Sequence, residues 1–181
     1  MKRIIPFAHE ILKDHINQES IVVDATMGNG HDTVFLANIA KKVYAFDIQK
    51  QAIESTKVLL KSHALTNVQL IHDSHQNLFV YVAPYVDAII FNLGYLPGAS
   101  KTVTTNKAST LDAVKQSLAL LKNGGILSIT FYSNHSEGKE EIDALIPYLK
   151  ALSSYHFEVL QYHFINKVES PFNVFVKKLR E

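Results

Sequence analysis

Residues 22–30 read Val-Val-Asp-Ala-Thr-Met-Gly-Asn-Gly, and they give the strongest indication of the fold. An apolar run ends in a carboxylate at Asp24, and two glycines follow at alternate positions, Gly28 and Gly30. A buried strand, a glycine turn and then a helix is the order in which the first unit of a parallel α/β sheet is built. Because such sheets bind ligands beyond the carboxyl ends of their strands, this turn is the first candidate for a binding site.

Short apolar runs alternate with amphipathic segments along the rest of the chain. The segment 92–107 is expected to be a long functional loop. Asn123-Gly124-Gly125 should end the helix predicted at 109–121. Residues 166–172 are too few for a crossover helix, so the last two strands should be antiparallel. The pattern predicts strands at 21–24, 43–47, 68–72, 86–91, 126–131, 156–165 and 173–179, and helices at 6–17, 31–40, 49–63, 109–121 and 137–153.

This order of elements predicts a fold of the α/β class. The sheet should be Rossmann-like, seven-stranded and mostly parallel, with a C-terminal antiparallel hairpin and helices on both faces. One domain should span residues 1–181, which is near the common size of a single domain.

The composition excludes several kinds of protein. The chain contains no cysteine, so disulfide frameworks, Cys-ligated zinc or iron–sulfur sites and cysteine nucleophiles are excluded. The formal net charge is +1, so a nucleic-acid partner would have to bind a local basic patch. No run approaches the ~20 apolar residues of a membrane span, and residues 1–5 do not begin a signal peptide. We expect a soluble cytoplasmic protein without a membrane or metal partner.

Two cofactors compete for the glycine turn. A dinucleotide fingerprint requires G-x-G-x-x-G, but Thr33 occupies the third glycine position. S-adenosylmethionine carries an ammonium and a sulfonium instead of a pyrophosphate, and a carboxylate at Asp24 favours such a cation. The pattern D-x-T-x-G-x-G resembles motif I of class I methyltransferases, with Thr26 where many members have glycine.

Two further acids follow the next two strands. Asp47 ends the second strand and could accept hydrogen bonds from both ribose hydroxyls of either cofactor. Asp73 follows the third strand and could accept one from an adenine amino group. Three acids at three successive strand ends predict a nucleoside pocket.

The fourth strand leads into a polar and aromatic segment, Asn92-Leu93-Gly94-Tyr95-Leu96-Pro97-Gly98. Asn92 can accept a hydrogen bond from a target N–H, and Tyr95 can stack on a base. Methylation at C5 of a pyrimidine usually requires a covalent adduct with a cysteine. Because the sequence contains no cysteine, a nitrogen or oxygen acceptor is favoured. An aliphatic amine must first lose a proton, and the candidate groups near the site are His31, Asp32 and His135.

Four motifs together resemble the YtqB/MnmM family, which has long been labelled as rRNA methylases. They are D-x-T-x-G-N-G-H-D-T at 24–33, F-D-I-Q at 46–49, N-L-G-Y-L-P-G at 92–98 and Y-x-x-H-x-x-G-x-x-E at 132–141. In the last motif, Ser133 and Asn134 stand where the family commonly has Pro-Gly. The resemblance implies a class I methyltransferase fold and methylation of 5-aminomethyl-2-thiouridine at tRNA wobble position 34 to its 5-methylaminomethyl form.

The resemblance also implies a set of site residues. Asn92, Tyr95 and His135 would be catalytic. The cofactor residues would be Asp24, Thr26, Gly28, Asn29, Gly30, His31, Asp32, Thr33, Asp47, Ile48, Gln49, Asp73, Ser74, His75 and Asn92. The substrate residues would be Leu93, Gly94, Tyr95, Leu96, Pro97, Lys101, Lys107, His135, Lys139 and Glu141, with the three lysines on tRNA phosphates.

Other functions remain open from the sequence. The methyl acceptor could be rRNA or a small molecule. A nicotinamide-dependent oxidoreductase is disfavoured by Thr33, and a non-catalytic S-adenosylmethionine binder by the intact 92–98 motif. The near-neutral charge suggests that a tRNA partner would be contacted over a small footprint such as the anticodon stem-loop, and general frequencies make a homodimer plausible.

Overall fold

The computed structural model describes residues 1–94, 107–133, 136–167 and 169–180. Seven strands and six helices follow one another along these residues, and a short 3-10 turn, His75–Asn77, precedes α4. The elements are α1 (Ile4–Lys13), β1 (Ile21–Asp24), α2 (His31–Ala37), β2 (Lys42–Asp47), α3 (Lys50–Ser62), β3 (Val68–His72), α4 (Leu78–Tyr81), β4 (Val86–Leu93), α5 (Lys107–Leu120), β5 (Leu121–Phe131), α6 (Ser136–Lys150), β6 (Phe157–Tyr162) and β7 (Phe172–Lys178).

The strands form one sheet in the order β3-β2-β1-β4-β5-β7-β6. Strands β1 to β5 pair in parallel, whereas β7 lies antiparallel between β5 and β6. The strand order reverses beside β1, where β2 lies on one side and β4 on the other. This reversal opens the crevice in which α/β sheets bind ligands, and the predicted sheet with its closing hairpin is confirmed.

Helices cover both faces of the sheet. On one face, Leu12 of α1 and Leu36 of α2 pack against Val22 and Val43. On the other, residues of α5 and α6 such as Val114 and Leu149 pack in a larger cluster with the central strands. Strand β4 is buried along almost its whole length, as expected for a central parallel strand covered on both sides.

Two sequence predictions fail at element boundaries. Asn123-Gly124-Gly125 does not end a helix: α5 ends at Leu120 and the glycines lie inside β5, where the pairing with β4 shifts register. Gly124 has a φ of +81°, and a Cβ at Gly125 would lie 2.9 Å from the carbonyl oxygen of Lys122. The glycines therefore serve an irregularity in the strand, which a helix-stop pattern does not distinguish.

The predicted loop at 92–107 also begins too early and ends too late. Asn92 and Leu93 are the last residues of β4, and Lys107 begins α5. Residues 95–106 lie outside the described residues. In the described part of the chain, no helix combines the length and the apolar character needed to cross a bilayer.

Candidate active site

The buried carboxylate of Asp24 closes the carboxyl end of β1. The Thr33 hydroxyl donates to its Oδ2 at 2.6 Å and the Thr26 backbone N–H to its Oδ1 at 3.2 Å. Burial, reinforced by the nearby Asp32 charge, raises the pKa of Asp24 to about 7. An ionised carboxylate held in such a place is stabilised by a cation.

The glycine turn after β1 adopts the backbone conformation that only glycine takes readily. Gly28 has a φ of +51° and Gly30 a φ of +83°. A Cβ at Gly30 would lie 2.7 Å from Oγ1 of Thr56 on α3, and the same hydroxyl donates to the Gly28 carbonyl at 3.2 Å. The turn is therefore held close against α3, with α2 beginning directly after it.

Asp47 at the end of β2 fixes the same turn from the neighbouring strand. Its Oδ2 accepts the Gly28 backbone N–H at 3.0 Å and its Oδ1 accepts the Gln49 N–H at 2.8 Å. Burial raises its pKa, and these hydrogen bonds oppose the rise. Each carboxylate oxygen keeps a second lone pair for a hydroxyl donor. Asp47 thus lies beside the glycine turn, and its contact with a ribose stays a prediction.

Asp73 follows β3 and is bound by groups close to it in sequence. Its carboxylate accepts hydrogen bonds from the Ser74 N–H, the Asn77 amide and the Tyr81 hydroxyl, and the Tyr81 bond is the main cause of its lowered pKa. These bonds order the turn that carries His75. The direct contact of Asp73 with adenine stays a prediction.

His75 is buried beside Phe91, with ring centroids 5.7 Å apart. Desolvation lowers its pKa to about 4, against a hydrogen bond to the Ala25 backbone, so the ring is neutral near pH 7. Its Nε2 has no hydrogen-bond partner among the described residues. A buried nitrogen without a partner carries a desolvation cost that a bound ligand could relieve.

Asn92 links the end of β4 to the turn after β1 and to the first turn of α2. Its backbone N–H donates to the Thr26 hydroxyl at 2.7 Å, and its side-chain Nδ2 donates to Oδ2 of Asp32. The other amide atom, Oδ1, is buried and has no partner in the described part of the chain. An unpaired acceptor beside the crevice suits the N–H of a methyl acceptor.

The remaining predicted cofactor residues surround the turn. Thr33 is buried against Asp24, whereas His31 and Ile48 are exposed at the first turn of α2 and after β2. Asn29, Gln49 and Ser74 are partly exposed. Their contacts with a cofactor stay predictions.

The predicted substrate residues are placed unequally. Leu93 is buried in the core, and Gly94 lies beside the Tyr132 ring, 3.4 Å from where its Cβ would be. Glu141 is buried and accepts a hydrogen bond from the Thr110 hydroxyl at 3.0 Å, which joins α5 to α6. Predicted residues outside the described ranges are Tyr95, Leu96, Pro97, Lys101 and His135.

The two other predicted phosphate contacts are at the starts of helices. Lys107 is the first residue of α5. Lys139 is exposed on α6 and its Nζ lies 3.4 Å from Oε1 of Glu169. Contact with RNA stays a prediction for both.

Two residues near the site were missed by the sequence interpretation. His9 on α1 lies 2.6 Å from Oδ1 of Asp32, and no spacing in the sequence predicts this contact. Burial and the Asp32 charge raise the pKa of Tyr132, so its hydroxyl stays protonated near neutral pH. Tyr132 follows β5 at the same end of the sheet as the acids, which is a signal that could have included it.

These residues fit S-adenosylmethionine better than a dinucleotide. Asp24, Asp32 and Asp47 lie close enough that the Asp32 and Asp47 charges both raise the pKa of Asp24. Three carboxylates around a glycine turn favour a cationic ligand and oppose a pyrophosphate. Asp24 could hold the charged end of the cofactor and Asp47 its ribose, with Asn92 at the methyl end.

The sequence and the fold both match known methylases. A family model described as "Putative rRNA methylase" matches residues 43–178. A chloroplastic tRNA (mnm(5)s(2)U34)-methyltransferase of Arabidopsis thaliana is 33% identical over 191 residues, which cover 98% of this chain and 70% of that protein.

Two solved structures share the fold over nearly their whole length. A "putative methyltransferase" from Streptococcus mutans in complex with SAH is 46% identical, with a TM-score of 0.93 and 99% of both chains covered. A "putative rRNA-methylase" from Clostridium thermocellum is 35% identical, with a TM-score of 0.95 and 98% of both chains covered. These relatives confirm the Rossmann-like fold and the predicted cofactor class. The chain belongs to this rRNA-methylase family and is an S-adenosylmethionine-dependent methyltransferase.

Proposed function

We propose that the protein methylates the exocyclic amine of 5-aminomethyl-2-thiouridine at wobble position 34 of tRNA, giving 5-methylaminomethyl-2-thiouridine. The observation that carries this proposal is the buried Oδ1 of Asn92 at the end of β4, which has no hydrogen-bond partner among the described residues. An amide oxygen accepts from an amine N–H and thereby leaves the nitrogen lone pair free to attack. The Arabidopsis relative, which is named for this wobble nucleoside, supports the same acceptor.

The chain's own residues have separable parts in this reaction. When bound, S-adenosylmethionine supplies an electrophilic methyl group on a sulfonium. Asp24 balances positive charge at the end of β1, and Asp47 offers acceptor lone pairs for hydroxyls. Asn92 orients the acceptor nitrogen, and orientation of two reactants accounts for much of the rate of a direct transfer.

The missing cysteine supports a nitrogen acceptor over a pyrimidine carbon. The chain contains no cysteine, so the covalent adduct that usually activates C5 has no nucleophile here. An amine needs only to be deprotonated and aligned.

The proposal extends to the partner: tRNA would be contacted through its anticodon stem-loop.

Nucleoside mass spectrometry tests this function. The purified protein and isotope-labelled S-adenosylmethionine are incubated with tRNA that carries 5-aminomethyl-2-thiouridine, and in parallel with unmodified tRNA and with rRNA. We expect the label only in 5-methylaminomethyl-2-thiouridine. Label in rRNA, or none in the modified tRNA, would reject the proposal.

The Asn92→Ala variant tests the proposed site in the same assay. It removes the Oδ1 acceptor, and we expect the turnover rate to fall by more than ~10-fold, as for the loss of one positioning contact. Binding of S-adenosylmethionine, measured by calorimetry, separates a lost acceptor contact from a lost cofactor. Full turnover by the variant would show that Asn92 does not hold the substrate.

A further inference from the structure

Three polar side chains from three different elements are linked in series by hydrogen bonds beside the crevice. Nε2 of His9 on α1 lies 2.6 Å from Oδ1 of Asp32, in the first turn of α2. The second oxygen of Asp32, Oδ2, accepts a hydrogen bond from Nδ2 of Asn92 on β4. All three side chains are partly exposed, so this hydrogen-bonded series lies at the edge of the crevice and not in the core.

The hydrogen-bonding chemistry of these three side chains allows only one orientation of the Asn92 amide. An ionised carboxylate can accept hydrogen bonds but cannot donate them. Asn92 must therefore present its NH₂ group to Asp32, which turns Oδ1 away from it. Oδ1 is the buried atom that has no partner in the described ranges, so Asp32 keeps this acceptor available for a ligand.

His9 in turn restrains the carboxylate. In either protonation state, its Nε2 must carry a proton to bond an ionised Asp32. The imidazole stacks on Phe35 with ring centroids 3.8 Å apart and an interplanar angle of 2°. This stack holds the ring in the plane from which Nε2 meets Asp32, and thus one carboxylate oxygen is occupied by His9 and the other by Asn92.

We infer that His9 is a positioning residue for methyl transfer. It holds Asp32, through which the Asn92 amide keeps Oδ1 directed at the acceptor nitrogen. This inference rests on the proposed function, because the acceptor amine is the group that Oδ1 would bind. His9 touches neither reactant, so its effect should appear in the turnover rate and not in cofactor binding.

Steady-state kinetics of two His9 variants test the inference. His9→Ala removes the donor, and we expect kcat to fall about 5-fold to 10-fold while KM for tRNA and the affinity for S-adenosylmethionine stay within about 2-fold. His9→Gln places an amide N–H near the position of Nε2 and should recover at least half of the lost rate. An unchanged kcat in His9→Ala, or no recovery in His9→Gln, would overturn the inference.

His15→Ala is the matched control. His15 lies just beyond the same helix and its Nδ1 is 2.9 Å from the Ile11 carbonyl oxygen, with no link to Asp32. Its kcat should equal that of the wild type. Thermal unfolding of each variant shows whether the fold is intact, and a rate loss that His15→Ala reproduces would assign the effect to α1 as a whole.

Nuclear magnetic resonance keeps this inference separate from the proposed function. The side-chain ¹⁵N amide signal of Asn92, assigned with the Asn92→Ala variant, should shift or broaden in His9→Ala and stay in place in His15→Ala. No substrate is needed. If the wild type fails to methylate the modified tRNA, the proposed function is wrong; if the signal does not respond to His9→Ala, the positioning role is wrong.

Discussion

Asp24 gives the sharpest test of how the site is built, because its pKa of about 7 must lower the stability of the protein at alkaline pH. The Asp24→Asn variant keeps the shape of the side chain and both of its hydrogen bonds. Its amide oxygen can accept from Thr26, and its NH₂ group can donate to the Thr33 hydroxyl, which rotates to accept. The variant removes only the ionisation.

The sign of the effect follows from the direction of the pKa change. A folded-state pKa of about 7, above the ordinary 3.8, means that the folded state binds the proton more tightly than the unfolded state. The wild type then loses stability as the pH rises toward 7, by about 1.4 kcal/mol per pH unit, and loses no more above 7. The loss between pH 5.5 and pH 8.5 is about 2 kcal/mol, and Asp24→Asn escapes it.

Thermal unfolding of both proteins without cofactor measures this difference. For a chain of this length, about 2 kcal/mol corresponds to about 4–8 °C, so the Tm of Asp24→Asn minus that of the wild type should rise by this amount between about pH 5.5 and about pH 8.5. The same variant should bind S-adenosylmethionine more weakly, because it lacks the countercharge.

The control is Asp73→Asn, whose carboxyl has a lowered pKa. A lowered pKa adds stability that is fully present above the ordinary value of 3.8 and is lost only at lower pH, so the Tm of this variant relative to the wild type should stay constant between about pH 5.5 and about pH 8.5. A Tm difference for Asp24→Asn that is the same at both pH values would show that the fold does not oppose the ionisation of Asp24.

Gly30→Ala should lose cofactor binding and more than about 2 kcal/mol of stability, because its φ of +83° is strained for alanine and the new methyl meets the Thr56 hydroxyl at 2.7 Å. Gly124→Ala, at a φ of +81° with open space around it, should lose less stability and keep cofactor binding; equal losses in chemical denaturation would disprove the clash. In urea unfolding, the free energy of unfolding of His75→Phe relative to that of the wild type should rise by about 2 kcal/mol when the pH is lowered from about 7 to about 5. The reason is that the wild type loses stability as the pH falls from 6.5 toward the lowered pKa of about 4. A constant gap would show that His75 is not held neutral.

Much of the site could be predicted from sequence, because its residues follow strand ends. The carboxyl ends of parallel strands meet at one edge of the sheet, so Asp24 and Asp47 had to lie near each other once the strands were recognised. Asn92 was predicted for the same reason. The boundaries of β5 could not be predicted, because Gly124 and Gly125 are as typical of a helix end as of an irregular strand.

The order of elements, the acids around the glycine turn and the absence of a cysteine nucleophile can all be read from the sequence. These depend on local pattern and composition, which the chain states directly. The folded structure was needed to show that His9, Asp32 and Asn92 meet, and therefore which way the Asn92 amide faces. His9 and Asp32 are 23 residues apart and Asp32 and Asn92 are 60 apart, so their contacts depend on packing of α1, α2 and β4, which leaves no periodic signal in the sequence. The pKa of Asp24 likewise depends on burial, which is a property of the folded chain.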